Sequence, residues 1–548
     1  MMTPHLNSTS RRRFLAGSTG IAAAVITGGG LAGCTTAAPP RNTQEGNAKV
    51  VLPSFIEYEG AKPDLAGTKD GVMAAYLNFP AAPPRLFDRA PGSGGEVSAV
   101  TQVLAAQLER PDSNEHWKAL NAGLGSTLKV SGANGPEFDA KVQTMLAGDD
   151  LPDLLQITSM PRLPDVLAAK FTDLSEHLGG DKIKDYPALA AIGTASWKTT
   201  VFNGGIFGVP AARGGVPNNL IIRKDLFDEN KINPEFESAE DLLAAARALT
   251  NPNENRWAFG TEPSSFLVPM VSQMLGVPNG WSETDGVFAS SIEHPGTKQA
   301  LEFVTQLWQE GLIHPDSIAD TTQNSTWFRG RRTAMIPAGL SSWLVYVQSV
   351  TAEGLSPSVI DAVVLPKFDG GGVASYWRGR NSYSFTALKQ AEPERITELL
   401  KVLDWLASPF GTQEYLIKNY GVEGSNYRLE NNNPVAITGN EEYMYFLNYI
   451  VTANEVLYQP GRPDVVKRQH ELQTAILPGA LPMPTEGLYS ESNLTKGATL
   501  GKDLKFAQND IVAGRKPLSS WDDAVASWKK NGGDEIRKEY EAAFAAAS

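Results

Sequence analysis

The residue types that carry out catalysis occur in this chain, but not at the spacings typical of an active site. The histidines include no H-E-x-x-H sequence and no other pair at metal-ligand spacing; they are His5, His116, His177, His294, His314 and His470. No G-x-S-x-G sequence is present to hold a nucleophilic serine on a sharp turn. Gly501-Lys502 precedes Asp503, not the serine or threonine of a phosphate-binding loop. Carboxylates are abundant, so a glycosidase-type acid pair stays open as an alternative.

The single cysteine, Cys34, stands where chemistry of another kind is expected. Arginines at 11–13 precede a Gly/Ala-rich apolar run, which ends in Leu31-Ala32-Gly33-Cys34. A basic start, an apolar run and small residues at a cleavage site are typical of a secretory signal peptide. The L-A-G-C ending resembles a bacterial lipobox, whose cysteine is acylated and becomes the mature N-terminus. We therefore predict a lipoprotein signal over 1–33 and a lipid on Cys34.

Two alternatives to this signal stay open. The Ser10-Arg11-Arg12 start resembles a twin-arginine export signal, and general export is the alternative route. The apolar run is about long enough to be a transmembrane helix. However, Gly17, Gly20 and the three glycines at 28–30 weaken a permanent anchor.

The charge of the mature chain limits the kinds of partner that it can bind. Removing residues 1–33 takes away three arginines and no acids, which leaves 45 Lys and Arg against 61 Asp and Glu, a net charge of −16. Such a chain is repelled by nucleic-acid phosphates and by anionic lipid, so we expect no nucleic-acid partner and attachment to the membrane only through the lipid. Residues 34–50 are polar and proline-containing, which predicts a flexible tether.

The rest of the chain alternates short apolar strands with amphipathic helices, which favours α/β lobes. At about 515 mature residues, it exceeds one typical hydrophobic core, so at least two lobes are expected. Apolar spacing and capping signals predict helices over 239–249, 297–310, 393–407 and 521–530. Strands are predicted over 126–130, 153–157, 220–223, 335–336 and 362–365.

Several motifs, in this order, resemble those of extracellular solute-binding proteins of carbohydrate-type ABC importers (family 1). More narrowly, the chain resembles the large lipoprotein subgroup that binds oligosaccharides and uronate oligosaccharides. The motifs are Asp149-Asp150-Leu151-Pro152-Asp153, Phe171-Thr172-Asp173-Leu174, Gly208-Val209-Pro210, the run 219–227, Phe328 to Met335, Val364-Leu365-Pro366 with Gly370-Gly371-Gly372, and Gly421-Val422-Glu423-Gly424 with Tyr427.

The resemblance implies a two-lobed, periplasmic-binding-protein-like (type II) clamp with a ligand cleft between the lobes. We expect lobe 1 over 51–210 plus 368–430 and lobe 2 over 211–367 plus 431–548. The implied function is to bind a sugar or oligosaccharide and deliver it to the permease subunits of an ABC transporter. The protein is then a monomer and not an enzyme, held on the extracellular face of the bacterial membrane. The alternatives are a lipid-anchored glycoside hydrolase or polysaccharide lyase, or a ligand sensor for a surface receptor.

A sugar site needs flat aromatic side chains for the C–H faces and polar groups for the hydroxyls. Some ligand residues are predicted from their position in the resembled family, some from lying beside the presumed crossovers, and Asp153 from lying at a strand end. They are Trp343, Tyr376, Trp377, Arg378, Arg213, Asn219, Asp153, Ser265, Phe266 and Trp281. Each has a structural alternative. Trp343 can be a core residue, Arg213 can form a salt bridge between lobes, and Asp153 can cap a helix.

No cofactor or metal is expected, although one stretch fits a calcium loop loosely. Asn251, Asn253, Asn255 and Glu262 stand at positions of the pattern D-x-[DN]-x-[DN]-G-x5-E, which some relatives with acidic oligosaccharide ligands carry. Asn251 replaces the leading acid, and Arg256 replaces the glycine. A turn that ends a helix is the alternative.

Overall fold

The computed structural model describes residues 42–103, 114–158, 160–437 and 444–547. The predicted signal peptide, Cys34 and the first part of the predicted tether lie outside the described residues. The prediction of a flexible tether is wrong for residues 42–50, because Gln44–Ala48 is a helix and Asn47 Oδ1 accepts from the N–H of Gly204 (2.9 Å). Within the described ranges, no helix has both the length and the apolar character needed to cross a bilayer.

Nine strands form two main sheets. They are β1 (Glu96–Gln102), β2 (Thr127–Ala133), β3 (Leu154–Ile157), β4 (Val209–Ala212), β5 (Asn219–Arg223), β6 (Trp257–Phe259), β7 (Thr333–Ala338), β8 (Ile360–Val363) and β9 (Ser382–Leu388). The five-stranded sheet has the order β2-β1-β3-β9-β4, and the four-stranded sheet has the order β8-β5-β7-β6. We call the part around the first sheet the first lobe and the part around the second sheet the second lobe.

Shorter strands pair in twos. These pairs are Ala75–Tyr76 with Leu457–Tyr458, Val201–Phe202 with Gly205–Ile206, Trp281–Thr284 with Val287–Ser290, and Tyr427–Glu430 with Asn433–Ala436.

Helices cover the faces of both sheets. The α-helices are Gln44–Ala48, Glu115–Leu124, Gly135–Gly148, Leu163–Lys170, Ser175–Leu178, Pro187–Ala190, Thr194–Lys198, Lys224–Glu229, Ala239–Leu249, Val268–Met274, Pro295–Gln309, Asn324–Arg329, Leu340–Ala352, Pro393–Leu406, Gln413–Tyr420, Leu447–Ile450, Pro463–Ile476, Glu491–Val512, Ser520–Trp528 and Asp534–Ala547. Short 3-10 turns and two π-helical turns, Pro263–Leu267 and Lys529–Gly533, complete the elements.

Local sequence signals explain several of these helices. Ser238 and Asp241 form the predicted capping box of helix Ala239–Leu249, each side chain bonding the other's backbone N–H. Helix Pro393–Leu406 starts at a proline and buries its apolar side chains, as its spacing predicts. The four predicted helices and five predicted strands are confirmed, with ends that shift by up to three residues.

Strand directions bring one edge of each sheet to the same place. In the first sheet, β9 is antiparallel to β3 and β4, so the carboxyl ends of β1 to β4 and the amino end of β9 share an edge. In the second sheet, the carboxyl ends of β6, β7 and β8 share an edge with the amino end of β5. Residues 213–218 lead from the end of β4 to the start of β5, a span of at most about 20 Å. These two edges therefore lie next to each other, and we call them the junction edges.

The residues buried in each core show that the lobe boundaries along the chain differ from the predicted ones. Residues 444–451 were assigned to the second lobe, but Phe446 packs against Trp117 of the first lobe with ring centroids 5.5 Å apart. Ala374 and Tyr376 were assigned to the first lobe, but both are buried in the core of the second. The reason is that the chain crosses between the lobes after Tyr376 and again after Val451, later in both cases than the predicted limits.

A buried carboxylate holds a short helix in the first lobe. Asp404 is buried in helix Pro393–Leu406, and its Oδ1 accepts hydrogen bonds from the backbone N–H groups of Ala188 (2.8 Å) and Leu189 (2.9 Å). These donors lie in the first turn of helix Pro187–Ala190. Burial raises the pKa of Asp404 to about 7, although the two backbone hydrogen bonds act to lower it.

We expect Asp404→Asn to change how stability depends on pH. Because the folded pKa lies above the unfolded value, the wild-type free energy of unfolding receives a contribution at low pH that is lost as pH rises from about 4 to about 7. The asparagine oxygen still accepts both hydrogen bonds and does not ionise. Relative to wild type, the variant should therefore gain about 2–4 kcal/mol between pH 4 and pH 8. Urea unfolding at both pH values measures this, and a pH-independent difference would contradict it.

Candidate functional site

An exposed aromatic ring lies at the first-lobe junction edge. Tyr383 is the second residue of β9, and 44% of it is exposed. Its hydroxyl donates to Oε1 of Gln102 (2.7 Å), at the carboxyl end of β1. The Arg213 guanidinium carbon lies 5.3 Å from the ring centroid, and the Tyr449 ring lies 5.1 Å away. These contacts fix the ring in one orientation, with part of it open to a ligand.

Arg213, which follows β4, is held by its neighbours. Its Nη1 donates to Oε1 of Glu455 (2.8 Å), and the other Glu455 oxygen accepts from the N–H of Gly214 (2.9 Å). Burial acts to lower the pKa of Arg213, but the charge of Glu455 and the contact with Tyr445 raise it overall. The guanidinium is therefore charged, and its charge is balanced by Glu455. The predicted alternative, a salt bridge, is what this structure contains.

A polar network under Tyr383 ties three strands of the first sheet together. Gln156 Oε1 accepts from Thr101 Oγ1 (2.8 Å) and from the N–H of Gln102 (2.7 Å). Gln156 Nε2 donates to Ser384 Oγ (3.0 Å). Gln102 accepts the hydrogen bond of the Tyr383 hydroxyl, and Ser384 is the next residue of β9. Because the network fixes both of these residues, it also makes the position of the Tyr383 ring rigid.

The second-lobe junction edge carries three buried polar atoms with no hydrogen-bond partner among the described residues. They are Oδ1 of Asn219 at the start of β5, Oγ1 of Thr261 after β6, and Nε1 of Trp343 in the first turns of helix Leu340–Ala352. A buried polar group without a partner costs about 1–3 kcal/mol. The set contains an acceptor, a donor and a hydroxyl that can do both. Ligand groups that both donate and accept hydrogen bonds would suit it.

Ser265 and Phe266 lie at the same edge, in the π-helical turn that follows β6, and both are half-buried. Just before them, Glu262 Oε1 accepts from Ser264 Oγ (2.6 Å) and from Asn509 Nδ2 (2.5 Å). The structure therefore brings Asn219, Trp343, Ser265 and Phe266 to the second-lobe edge, opposite Arg213.

Other predicted residues hold the fold together. Tyr376 is fully buried, and its hydroxyl accepts from the N–H of Leu365 (2.7 Å). Trp377 Nε1 donates to the Val277 carbonyl (2.7 Å), and Arg378 Nη2 donates to the Asp70 carbonyl (2.6 Å). Trp281 is half-buried, and its ring packs against those of Trp528 (6.1 Å) and Tyr540 (5.5 Å). These side chains are committed to packing and to backbone partners in the second lobe.

Asp153 is not at a junction edge. It precedes β3, so it lies at the amino end of that strand, which is the opposite edge of the sheet. Its Oδ2 accepts from the N–H of Ser98 (2.8 Å) and pairs with Nη2 of Arg395 (3.0 Å). Asp153 stands at a strand end, as predicted, but this is the amino end. Ligands of open α/β sheets bind at the carboxyl ends of the strands.

The stretch that fits a calcium loop loosely includes a turn, strand β6 and the residues that follow it. Asn251, Asn253 and Asn255 lie in the turn before β6, and Glu262 lies after β6, where it is bound to Ser264 and Asn509. In the ranges that the structure describes, no group of three or more His, Cys, Asp or Glu side chains could hold a metal ion.

Tyr383 and Thr261 lie at the junction edges but were not among the predicted ligand residues. The alternation Ser382-Tyr383-Ser384-Phe385-Thr386 is typical of a strand with one polar and one apolar face. That signal, placed directly after the crossover near residue 380, would have located Tyr383. No signal in the sequence distinguishes Thr261 from other threonines.

The chain is similar to known proteins both in sequence and in fold. The family model described as bacterial extracellular solute-binding protein matches residues 117–427, more than half of the chain. Lipoprotein LipO of Bacillus subtilis (strain 168) is 22% identical over 492 residues, covering 85% of this chain and 96% of LipO. The polygalacturonan/rhamnogalacturonan-binding protein YtcQ of the same strain is 20% identical over 472 residues, covering 83% and 93%.

Among solved structures, the S. pneumoniae ABC-transporter substrate-binding protein FusA in complex with kestose aligns with a TM-score of 0.59 at 16% identity. The alignment covers 83% of this chain and 99% of FusA. This similarity confirms the predicted fold class, a periplasmic-binding-protein-like α/β fold.

Proposed function

Because the chain belongs to the family of bacterial extracellular solute-binding proteins, we propose that it is the substrate-binding component of a carbohydrate ABC importer. It captures an oligosaccharide between the two junction edges and delivers it to a permease. The observation that carries this proposal is the Tyr383 ring at one edge with unpartnered polar atoms at the other. A sugar offers an apolar face to the ring and hydroxyls to the polar atoms. The names of YtcQ and of the FusA complex with kestose support an oligosaccharide ligand.

The arrangement of the lobes supports this function. A ligand between the junction edges contacts side chains of both lobes, so it binds best when the lobes close on it. Binding therefore shifts the population toward the closed form, which a permease can distinguish from the open one. The crossover at 213–218 connects the edges directly and is the natural position for a hinge.

Within this proposal, the ligand residues are those at the junction edges. Tyr383 supplies the aromatic face, and Arg213 positions that ring. Asn219, Thr261 and Trp343 supply hydrogen-bonding atoms at the second-lobe edge, with Ser265 and Phe266 beside them. Asp153, Trp281 and the 376–378 run keep structural roles, since their polar atoms or rings are already engaged.

We further propose that the protein is anchored to the extracellular face of the membrane by a lipid on Cys34, after export by the twin-arginine route. Support comes from the lipobox-like ending at 31–34, the arginine run at 11–13 and the name of the relative LipO. A lipid anchor on a short tether keeps the binding lobes near the transporter, which raises their effective concentration.

A thermal-shift screen tests the proposal. Neutral and acidic oligosaccharides are added to the protein, and a binder should raise the melting temperature in proportion to RT ln(1 + [L]/Kd). Chromatography of the same samples should return the sugars unchanged. Shortened or unsaturated products would instead indicate a hydrolase or lyase, and an unaltered melting temperature with every sugar would contradict oligosaccharide binding.

A further inference from the structure

Among the residues that the structure describes, the arginine beside the Tyr383 ring, Arg213, is already neutralised by a carboxylate. Arg213 and Glu455 are paired at 2.8 Å, with 22% and 28% of their side chains exposed. The second Glu455 oxygen is fixed by the N–H of Gly214, so the carboxylate is held in place by two bonds. A ligand carboxylate that approached Arg213 would meet the Arg213–Glu455 pair, whose net charge is zero. It would also be repelled by the Glu455 carboxylate, which is held in place.

Other carboxylates add negative charge around the same space. Asp139 acts on Tyr383 strongly enough to help raise its pKa, after the larger effect of burial. Glu486 accepts from Nδ2 of Asn381 at the crossover (3.0 Å), and Glu262 lies at the second-lobe edge. Within the described residues, the positive charge of Lys505 acts on Glu262 and that of Arg380 acts on Tyr540. The cation that lies over the Tyr383 ring is Arg213.

We infer that the site takes a neutral oligosaccharide and discriminates against uronate-containing ones, with Glu455 as the specificity-determining residue. The inference rests on the proposed function and narrows its substrate class. Physically, a uronate carboxylate loses its hydration on entering a closed cleft, and a cationic partner offsets this loss more fully than neutral hydrogen-bond donors do. The paired state of Arg213 removes that partner, and like-charge repulsion from Glu455 adds to the cost. In this respect the chain differs from its relative YtcQ, whose name states a polygalacturonan ligand.

The first test compares affinities in the wild-type protein by isothermal titration calorimetry. The panel contains neutral oligosaccharides, including kestose and galacto-oligosaccharides, together with trigalacturonate and its fully methyl-esterified form. The ester has the same sugar stereochemistry as the acid but no charge. We expect at least one neutral member to bind, and every uronate to bind at least 10-fold more weakly than the best neutral ligand. A uronate that binds most tightly would overturn the inference but leave oligosaccharide binding intact. Absence of binding by the whole panel would instead count against the proposed function.

The second test changes the proposed specificity residue. Glu455→Gln removes the anion while its amide oxygen can still accept from Gly214, so Arg213 becomes free to pair with a ligand carboxylate. We expect the ratio of the Kd for trigalacturonate to the Kd for the best neutral ligand to fall at least 10-fold. Glu430→Gln is the matched control, because Glu430 also pairs with an arginine, Arg428 (2.6 Å), but on the hairpin 427–436. An equal change in both variants, or none in Glu455→Gln, would contradict the role of Glu455. The wild-type comparison stands even if the variant does not fold.

Discussion

Tyr383→Ala is expected to weaken oligosaccharide binding by roughly 10- to 100-fold while lowering the free energy of unfolding by about 1–3 kcal/mol. The ring is 44% exposed at the first-lobe junction edge, so a sugar can cover apolar area that only water contacts in the free protein. Because the ring is already fixed by Gln102, Arg213 and Tyr449, little side-chain entropy is lost on binding. Calorimetric titration and urea unfolding of the variant measure the two quantities.

Two further variants separate stacking from other causes. Tyr383→Phe keeps the ring and loses only the hydrogen bond to Gln102, so its affinity should fall by less than about 10-fold. Phe55→Ala removes an aromatic ring that is 49% exposed on the segment that pairs with Gly180, which belongs to neither junction edge, and should leave affinity unchanged. If Tyr383→Ala binds as tightly as wild type, the ring is not the sugar platform.

The sequence was sufficient for the elements and the general architecture. Helix Ala239–Leu249 begins at its capping box and was predicted over the same residues, because capping is a local interaction of neighbouring side chains. The motif order from 149 to 427 indicated the family that the comparisons then matched. Such features depend on short-range patterns, which a single sequence displays directly.

The site was predictable only in part, because it depends on strand direction and on burial. Asp153 was chosen for lying at a strand end, although as the first residue of the predicted strand 153–157 it stands at the amino end, whereas ligands of open α/β sheets bind at carboxyl ends. Likewise, Tyr376 and Tyr383 are both tyrosines near the crossover, yet one is fully buried and the other is exposed. Residue type suggests what a side chain can do, whereas the packing of neighbours that are distant in sequence decides whether a ligand can reach it.

The tryptophan most favoured by sequence, Trp343, illustrates this difference and gives the second large prediction. Only 1% of Trp343 is exposed, and it belongs to the core of the second lobe. No ring face is open for a sugar to stack on, and the indole N–H is buried as well, so a ligand reaches that N–H only if the side chains around it move. Trp343→Ala should therefore lower the free energy of unfolding by about 3–5 kcal/mol, the usual cost of removing a buried aromatic side chain. Urea unfolding measures this loss.

The milder variant Trp343→Phe distinguishes a purely structural tryptophan from one that also binds the ligand. Phenylalanine fills much of the same space but has no N–H, so affinity should fall by roughly 5- to 10-fold if Nε1 donates to a sugar hydroxyl. Trp197→Phe is the matched control, since Trp197 is also fully buried with an unpartnered Nε1, but in the core of the first lobe. Equal affinity in both variants would assign Trp343 to the core alone. A selective loss in Trp343→Phe would place a ligand hydroxyl at the second-lobe junction edge, beside the unpartnered oxygens of Asn219 and Thr261.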